Sequence, residues 1–316
     1  MIVRWGLERL SPLLGELGIV RPLVVASARW SRLALPDGPT WAEVPSHRVA
    51  VPEDADGVLA VGGGSTIDTG KSASAGSGLP LVSVPTTYSG AEWTSSFGVR
   101  NPDRLIVGRG DGASLAGIVY EPELTLGLPR PETVGTALNA LAHCVEALYA
   151  RGRSEDGDRE ALAGAALVSR WLPEVVERPA ELEPRTRLLE GAMHAGAALA
   201  AAGHALGHAM AQALGGRYGL PHGALNAICL PAAMRFNREV AGDAIVRLGE
   251  TMGTEDPIGR VEELARLGGF GTLRDLGIPE VELASVAVAA AERPGALANP
   301  RPADPKAIEA LMRSVC

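Results

Sequence analysis

Residues Gly57–Lys71 read GVLAVGGGSTIDTGK, so a short apolar run, three consecutive glycines and a helix-compatible segment follow one another directly. This order predicts a strand, a tight turn and a helix start, the arrangement by which open α/β sheets present backbone N–H groups to an anion. Because glycine has no Cβ, the backbone can approach a phosphate closely. Ser65 and Thr66 add hydroxyl donors and an N-cap. We interpret Gly62, Gly63 and Gly64 as the cradle of a pyrophosphate.

Two further apolar runs, Pro22–Ala26 and Leu79–Pro85, are typical of buried strands. Small hydroxyl residues follow the second run, at the edge of a parallel sheet where ligands bind; they are Thr86, Thr87 and Ser89. The first run is followed by Arg29 and by none of the acidic residues that would favour NAD over NADP. Arg29 therefore either meets a 2′-phosphate or is a solvated loop residue.

The connection between the runs at Leu23 and Val58 is shorter than a full βαβ crossover, so the sequence predicts an abbreviated first crossover. Residues 105–107 and 117–120 indicate two more strands, and Asn101–Gly112 a turn or hairpin. From Pro131 onward, alanine-rich helical periodicity replaces the β-branched runs. We predict an α/β nucleotide-binding domain over residues 1–122 and an all-helical domain over 123–316.

Composition narrows the functional classes. The chain has 316 residues and a net charge of −8, and its arginines are scattered, so we expect no nucleic-acid partner. We expect neither a signal peptide nor a membrane span. Three unpatterned cysteines favour a reduced, cytoplasmic compartment.

Five of the six histidines fall in the predicted helical domain; all six are His47, His143, His194, His204, His208 and His222. His204, His208 and Gln212 are four apart and are expected to share one helix face, as are Asn139 and His143. His222 is expected at a helix start. Such a layout can converge on a metal ion or on a polarised carbonyl.

Five stretches together resemble the iron-containing alcohol dehydrogenase superfamily, and within it are most similar to maleylacetate reductases. They are residues 62–71, 84–94, 121–129 and 138–150 and the segment from His208 to His222. The resemblance implies a dehydroquinate synthase-like fold with the active site in the interdomain cleft. It also implies a homodimer and NADH or NADPH bound at the glycine turn, with Thr86, Thr87, Asp68 and Lys71 nearby.

Metal-dependent members of the superfamily use an aspartate and three histidines, at positions that correspond here to Asn139, His143, His208 and His222. Asparagine removes the anionic ligand, and maleylacetate reductases are similar in carrying it and work without a metal. We therefore expect His208 and His222, supported by His143, to act as polar or protonic groups around the substrate. If a divalent metal such as Fe or Zn is present, these four residues are its expected ligands.

The expected reaction is hydride transfer from NAD(P)H to an activated C=C or C=O of a small carboxylated substrate, for which Arg100 and Arg109 are candidate contacts. Gln212 departs from the family's usual histidine and cannot relay a proton. The alternatives are a metal-dependent alcohol or aldehyde dehydrogenase, a dehydroquinate synthase-like cyclase or lyase, and a degenerate homologue without activity.

Overall fold

The structure is a computed structural model that describes residues 1–46, 48–101 and 105–316. These residues form two compact units, Met1–Gly127 and Leu128–Cys316. The boundary predicted at Pro122 lies in a 3₁₀ turn, Pro122–Thr125, near the end of the first unit. His47 and part of the predicted turn at 101–112 lie outside the described residues.

The first unit is built on a sheet of parallel strands. Its strands and helices are β1 (Ile2–Trp5), α1 (Leu10–Glu16), β2 (Pro22–Ala26), β3 (Thr40–Trp41), β4 (Gly57–Gly62), α2 (Gly64–Ser77), β5 (Pro80–Pro85), β6 (Phe97–Arg100), β7 (Ile106–Gly110) and β8 (Ser114–Tyr120). The strand order is β1-β8-β5-β4-β2-β3, with every neighbouring pair parallel. β6 and β7 form a separate antiparallel pair, and of these two strands only β7 falls inside the predicted turn or hairpin at Asn101–Gly112.

Alternation along the central strands separates two apolar layers, because successive side chains of a strand point to opposite faces. Leu59 and Val61 of β4 pack in a cluster that contains Leu13 of α1. Val58 and Ala60 belong to a second cluster that contains Ile67 of α2. Burial on both faces explains why β4 reads as a continuous apolar run.

The crossover from β2 to β4 contains a 3₁₀ turn, Ala28–Trp30, and the two-residue strand β3 in the part that the structure describes. In its described part this crossover contains no α-helix, unlike a full βαβ crossover. The sequence did not predict β3, which lies at the edge of the sheet beside β2.

The second unit is helical throughout its described length. Its helices are α3 (Arg130–Ala147), α4 (Glu155–Glu177), α5 (Leu182–Ala202), α6 (Leu206–Tyr218), α7 (His222–Asn237), α8 (Gly242–Met252), α9 (Pro257–Arg266), α10 (Leu283–Ala291), α11 (Pro294–Leu297) and α12 (Pro305–Arg313). α3 is central and packs against α4, α5 and α7. Within the described ranges, every helix is too short or too polar to cross a membrane.

Candidate active site

The glycine turn lies between β4 and α2. α2 begins at Gly64 with Gly63 as its N-cap residue. The predicted N-cap role of Ser65 and Thr66 is therefore wrong, because both residues lie inside the first helical turn. Gly63 offers no side chain to cap the helix, so the leading N–H groups and the positive end of the helix dipole can interact with an anion.

Two threonines after β5 complete this edge of the sheet. The Thr86 N–H donates to the Gly62 carbonyl at 3.0 Å and joins the ends of β4 and β5. A Cβ on Gly63 would lie 3.0 Å from Thr87 Cγ2, so a side chain there would crowd the turn. Among the described residues, Thr87 Oγ1 has no hydrogen-bond partner although it is buried. An orphaned hydroxyl beside free helix N–H groups fits a polar ligand such as a pyrophosphate.

The Thr87→Val variant separates stability from ligand binding. Removing a buried hydroxyl without a partner is expected to leave the free energy of unfolding unchanged or raise it by up to about 1 kcal/mol, while NAD(P)H binding weakens roughly 3- to 10-fold. Nicotinamide fluorescence titration and urea unfolding measure the two effects. Thr69→Val is the matched control, because Thr69 Oγ1 donates to the Ser65 carbonyl at 2.8 Å and its loss should lower stability. Unchanged NAD(P)H affinity in Thr87→Val would exclude this hydroxyl from the site.

Lys71 and Asp68 tie α2 to the segment that leads into β6. Lys71 Nζ lies 3.5 Å from Asp68 Oδ1 and donates to the Ser96 carbonyl at 2.9 Å. Asp68 Oδ2 accepts from the Gly98 N–H at 3.3 Å. Burial lowers the pKa of Lys71, and the nearby carboxylates oppose this shift. These contacts position the helix, and a direct role of either residue in cofactor binding stays a prediction.

Arg29 has contacts of its own within the first unit. Its Nη2 donates to the Gly127 carbonyl at 2.9 Å, and its guanidinium lies 5.0 Å from the centre of the Trp30 ring. The side chain is exposed, as the solvated-loop alternative expects, and a contact with a 2′-phosphate stays a prediction.

Four imidazole rings cluster in the second unit. His143 on α3 stacks on His208 of α6 with ring centres 4.8 Å apart. His204 lies 4.8 Å and His222 lies 5.7 Å from the same ring. His222 is the first residue of α7, as the sequence predicted. We call these four residues the histidine cluster.

The expectation that His204 shares a helix face with His208 and Gln212 is wrong. α5 is followed by Gly203 at φ 75°, a left-handed conformation that favours glycine. α6 begins only at Leu206. His204 therefore lies in the loop between α5 and α6, and the course of this loop brings its ring close to that of His208.

Glu146 holds the base of the histidine cluster. It lies on α3, three residues after His143, and is fully buried. Its Oε2 accepts from His208 Nδ1 and from the Ala205 N–H, both at 2.7 Å. Its Oε1 accepts from the Gly207 N–H at 2.6 Å. The carboxyl group therefore caps the N-terminus of α6 and binds one side of the His208 ring, while among described residues His208 Nε2 has no partner.

Burial dominates the protonation of this cluster. It lowers the pKa of His143 and His208 well below the usual range of histidine, and neighbouring imidazoles act in the same direction. Burial also lowers the pKa of His204, against the influence of Glu146. The pKa of Glu146 is raised by burial, whereas His204 and the amide hydrogen bonds lower it. Burial therefore favours the neutral form of His143, His204 and His208.

Two buried amides link the remaining histidines. Asn226 Nδ2 donates to Asn139 Oδ1 at 2.6 Å and lies 3.0 Å from His222 Nε2. Asn139 Nδ2 lies 3.4 Å from His143 Nε2. In this arrangement each of these two imidazole nitrogens faces an amide NH₂ group and accepts a hydrogen bond from it.

In this arrangement, two of the three histidines expected as metal ligands have their Nε2 atoms engaged. A metal ligand needs a free lone pair, and those of His143 Nε2 and His222 Nε2 are engaged by amide donors. The Asn139 oxygen is engaged by Asn226. No group of three or more His, Cys, Asp or Glu side chains in the described part of the chain is arranged to hold a metal ion.

The sequence did not single out Glu146 and Asn226 as site residues. Their spacings carry a signal: Asn139, His143 and Glu146 lie at i, i+4 and i+7 on α3, and His222 and Asn226 are four apart on α7. Helical periodicity places each set on one face. The contact between Glu146 and His208 spans 62 positions and cannot be inferred from spacing.

Comparisons with known proteins agree on one family. Residues 133–316 match the model described as "Fe-containing alcohol dehydrogenase family, C-terminal", and residues 39–112 match "Iron-containing alcohol dehydrogenase". A maleylacetate reductase from Pseudomonas knackmussii is 35% identical over 98% of this chain and 92% of its own length.

Solved structures show the same similarity. A maleylacetate reductase from Rhizobium sp. has a TM-score of 0.86 and 28% identity, covering 99% of this chain and 95% of its own. A putative alcohol dehydrogenase from Ralstonia eutropha has a TM-score of 0.88 and 30% identity with the same coverage of both chains. The expected dehydroquinate synthase-like fold is thereby confirmed.

Proposed function

Because the chain belongs to the iron-containing alcohol dehydrogenase family and is an oxidoreductase, we propose that it is an NAD(P)H-dependent reductase of the maleylacetate reductase type that works without a metal. The observation that carries this proposal is the environment of the His208 ring. Its Nδ1 is bound by Glu146, while its buried Nε2 has no partner in the described structure. The similarity to named maleylacetate reductases supports the substrate class.

In this proposal the first unit binds the cofactor. The α2 N-terminus behind Gly63 and the Thr87 hydroxyl would hold the pyrophosphate, because they combine free N–H groups with an unpaired hydroxyl. When bound, NAD(P)H supplies a hydride from the nicotinamide C4. The protein's part at this end is to fix and orient the nucleotide.

The second unit supplies the proton. Hydride addition to a C=C conjugated with a carbonyl leaves negative charge on an enolate oxygen, which needs a proton or a preorganised donor. A proton on His208 Nε2 would create an imidazolium beside the Glu146 carboxylate, and this ion pair would be available to the enolate. His222 and His143, whose rings are held by the amides of Asn226 and Asn139, would orient the substrate.

A carboxylated substrate fits the low pKa of these histidines. Burial disfavours the imidazolium form of His208, so without substrate the ring does not hold an added proton firmly. Negative charge brought by substrate carboxylates raises the pKa of a nearby imidazole. Proton uptake at His208 would thus accompany substrate binding, and the imidazolium would then give this proton to the more basic enolate.

The direct test is reduction of maleylacetate by purified protein. We expect loss of reduced-nicotinamide absorbance that depends on both maleylacetate and the protein. Simple alcohols with the oxidised cofactor serve as the comparison substrate, and we expect them to react poorly. Rapid alcohol oxidation without maleylacetate reduction would favour the dehydrogenase alternative.

A further inference from the structure

Glu146 and the N-terminus of α6 form one hydrogen-bond network around His208. The carboxyl group accepts from the N–H groups of Ala205 and Gly207 and from His208 Nδ1. A fourth donor, the His208 N–H, lies 3.3 Å from Oε1. Four donors around one buried carboxyl group favour its ionised form, whose oxygens act only as acceptors.

Gly207 is part of the same arrangement. A Cβ at this position would lie 2.8 Å from Glu146 Oε1, which is closer than side-chain atoms approach. Glycine in the first turn of a helix weakens helix formation compared with alanine. The sequence therefore keeps a helix-weakening residue where it lets a carboxylate from α3 reach the α6 N-terminus.

The hydrogen bonds determine which nitrogen of His208 carries the proton. In the ionised form of Glu146, which the backbone N–H groups favour, both oxygens only accept, so Oε2 accepts from the Ala205 N–H and from His208 Nδ1. A neutral imidazole with its proton on Nδ1 has a bare lone pair on Nε2. Nε2 is the nitrogen without a partner among the described residues.

We propose that Glu146 is a positioning residue that fixes His208 in the tautomer with the proton on Nδ1, and so makes Nε2 the atom that exchanges a proton with the substrate. The consequence for turnover rests on the proposed function, whereas the tautomer itself does not. Carboxylate–histidine pairs orient imidazoles in this way in other proteins, and losing the partner costs roughly 10- to 100-fold in activity.

Glu146→Gln tests this hydrogen-bond network because one of the two carboxylate oxygens is replaced by an NH₂ group, which donates. Placed at the position of Oε1, the NH₂ group would oppose two backbone N–H groups, those of Gly207 and His208. Placed at Oε2, it opposes only the Ala205 N–H. The second orientation is favoured and presents a donor to His208 Nδ1, which must then accept, so the imidazole proton moves to Nε2.

Nitrogen NMR of protein labelled with ¹⁵N-histidine reads the tautomer directly. The chain has six histidines, and the His208 signals are those lost in His208→Gln. We expect the wild-type protein to show a protonated Nδ1 and a bare Nε2, and Glu146→Gln to show the reverse. A protonated Nε2 in the neutral wild-type imidazole overturns the proposal without any need for the variant to fold.

Kinetics give the second readout. Glu146→Gln should lower kcat for maleylacetate reduction roughly 10- to 100-fold, with NAD(P)H affinity close to that of the wild type. Glu160→Gln is the matched control, because Glu160 Oε2 lies 2.6 Å from His194 Nδ1 in a half-exposed pair between α4 and α5. We expect wild-type kcat in Glu160→Gln.

The outcomes distinguish the two proposals. An unchanged kcat or an unchanged His208 tautomer in Glu146→Gln would overturn the positioning role. Absence of maleylacetate reduction by the wild-type protein would refute the proposed function, and the comparison of tautomers would still decide the role of Glu146.

Discussion

Replacing His208 by alanine is expected to lower kcat for NAD(P)H-dependent reduction by about 10²- to 10⁴-fold, the range that a general acid contributes. The expectation follows from the position of the ring. His208 is 1% exposed, stacks on His143, and has a buried Nε2 without a hydrogen-bond partner among the described residues. Steady-state kinetics at saturating maleylacetate measures the loss.

Two controls separate chemistry from folding. His194→Ala removes a histidine that is also bound to a glutamate but lies outside the histidine cluster, and should retain turnover. His208→Ala should keep its affinity for NAD(P)H, because the glycine turn belongs to the first unit. Unchanged kcat in both His208→Ala and His222→Ala would contradict the assignment of the proton donor.

Replacing Asn139 by aspartate is expected to convert the histidine cluster into a cation site. In the wild-type protein the Asn139 amide faces His143 Nε2 with its NH₂ group and receives Asn226 at its oxygen. A carboxylate would place an anionic oxygen ligand beside His143, which asparagine does not provide. Its charge attracts a divalent cation, and we expect the affinity for the cation to rise by about tenfold or more, since outer contacts alone change it by 10- to 100-fold.

Atomic emission after dialysis against Zn²⁺ or Fe²⁺ measures the bound metal, and urea unfolding measures the stability of the same samples. The matched control is Asn237→Asp, in a buried pair of amides in which Asn237 and Asn299 bond to each other at 2.9 and 2.8 Å. It should lose stability and bind no metal. Stoichiometric metal in wild-type protein that chelation removes together with activity would contradict the metal-free account.

The architecture of the first unit could be predicted because its central strands are short apolar runs that end at glycine or hydroxyl residues. The run before Gly62 and the run before Thr86 became β4 and β5. β3 was not predicted, because a strand of two residues, Thr40 and Trp41, is too short to show periodicity. In the sheet it pairs with β2.

The candidate site could be predicted only where its residues share an element. His143 with Asn139, and His222 at a helix start, followed from local spacing and motif. His204 did not, because the helix that spacing implied is interrupted at Gly203. The contact of Glu146 with the α6 N-terminus needed the packing of α3 against a distant helix, which no sequence period encodes.

The most direct measurement of the central claim combines activity and metal content in one sample. Protein freed of metal with a chelator, and shown by atomic emission to contain far less than one metal ion per chain, is assayed for oxidation of NAD(P)H by maleylacetate. We predict that kcat equals that of untreated protein and that added Zn²⁺ or Fe²⁺ does not raise it. Loss of turnover on chelation, restored by one of these ions, would contradict the account.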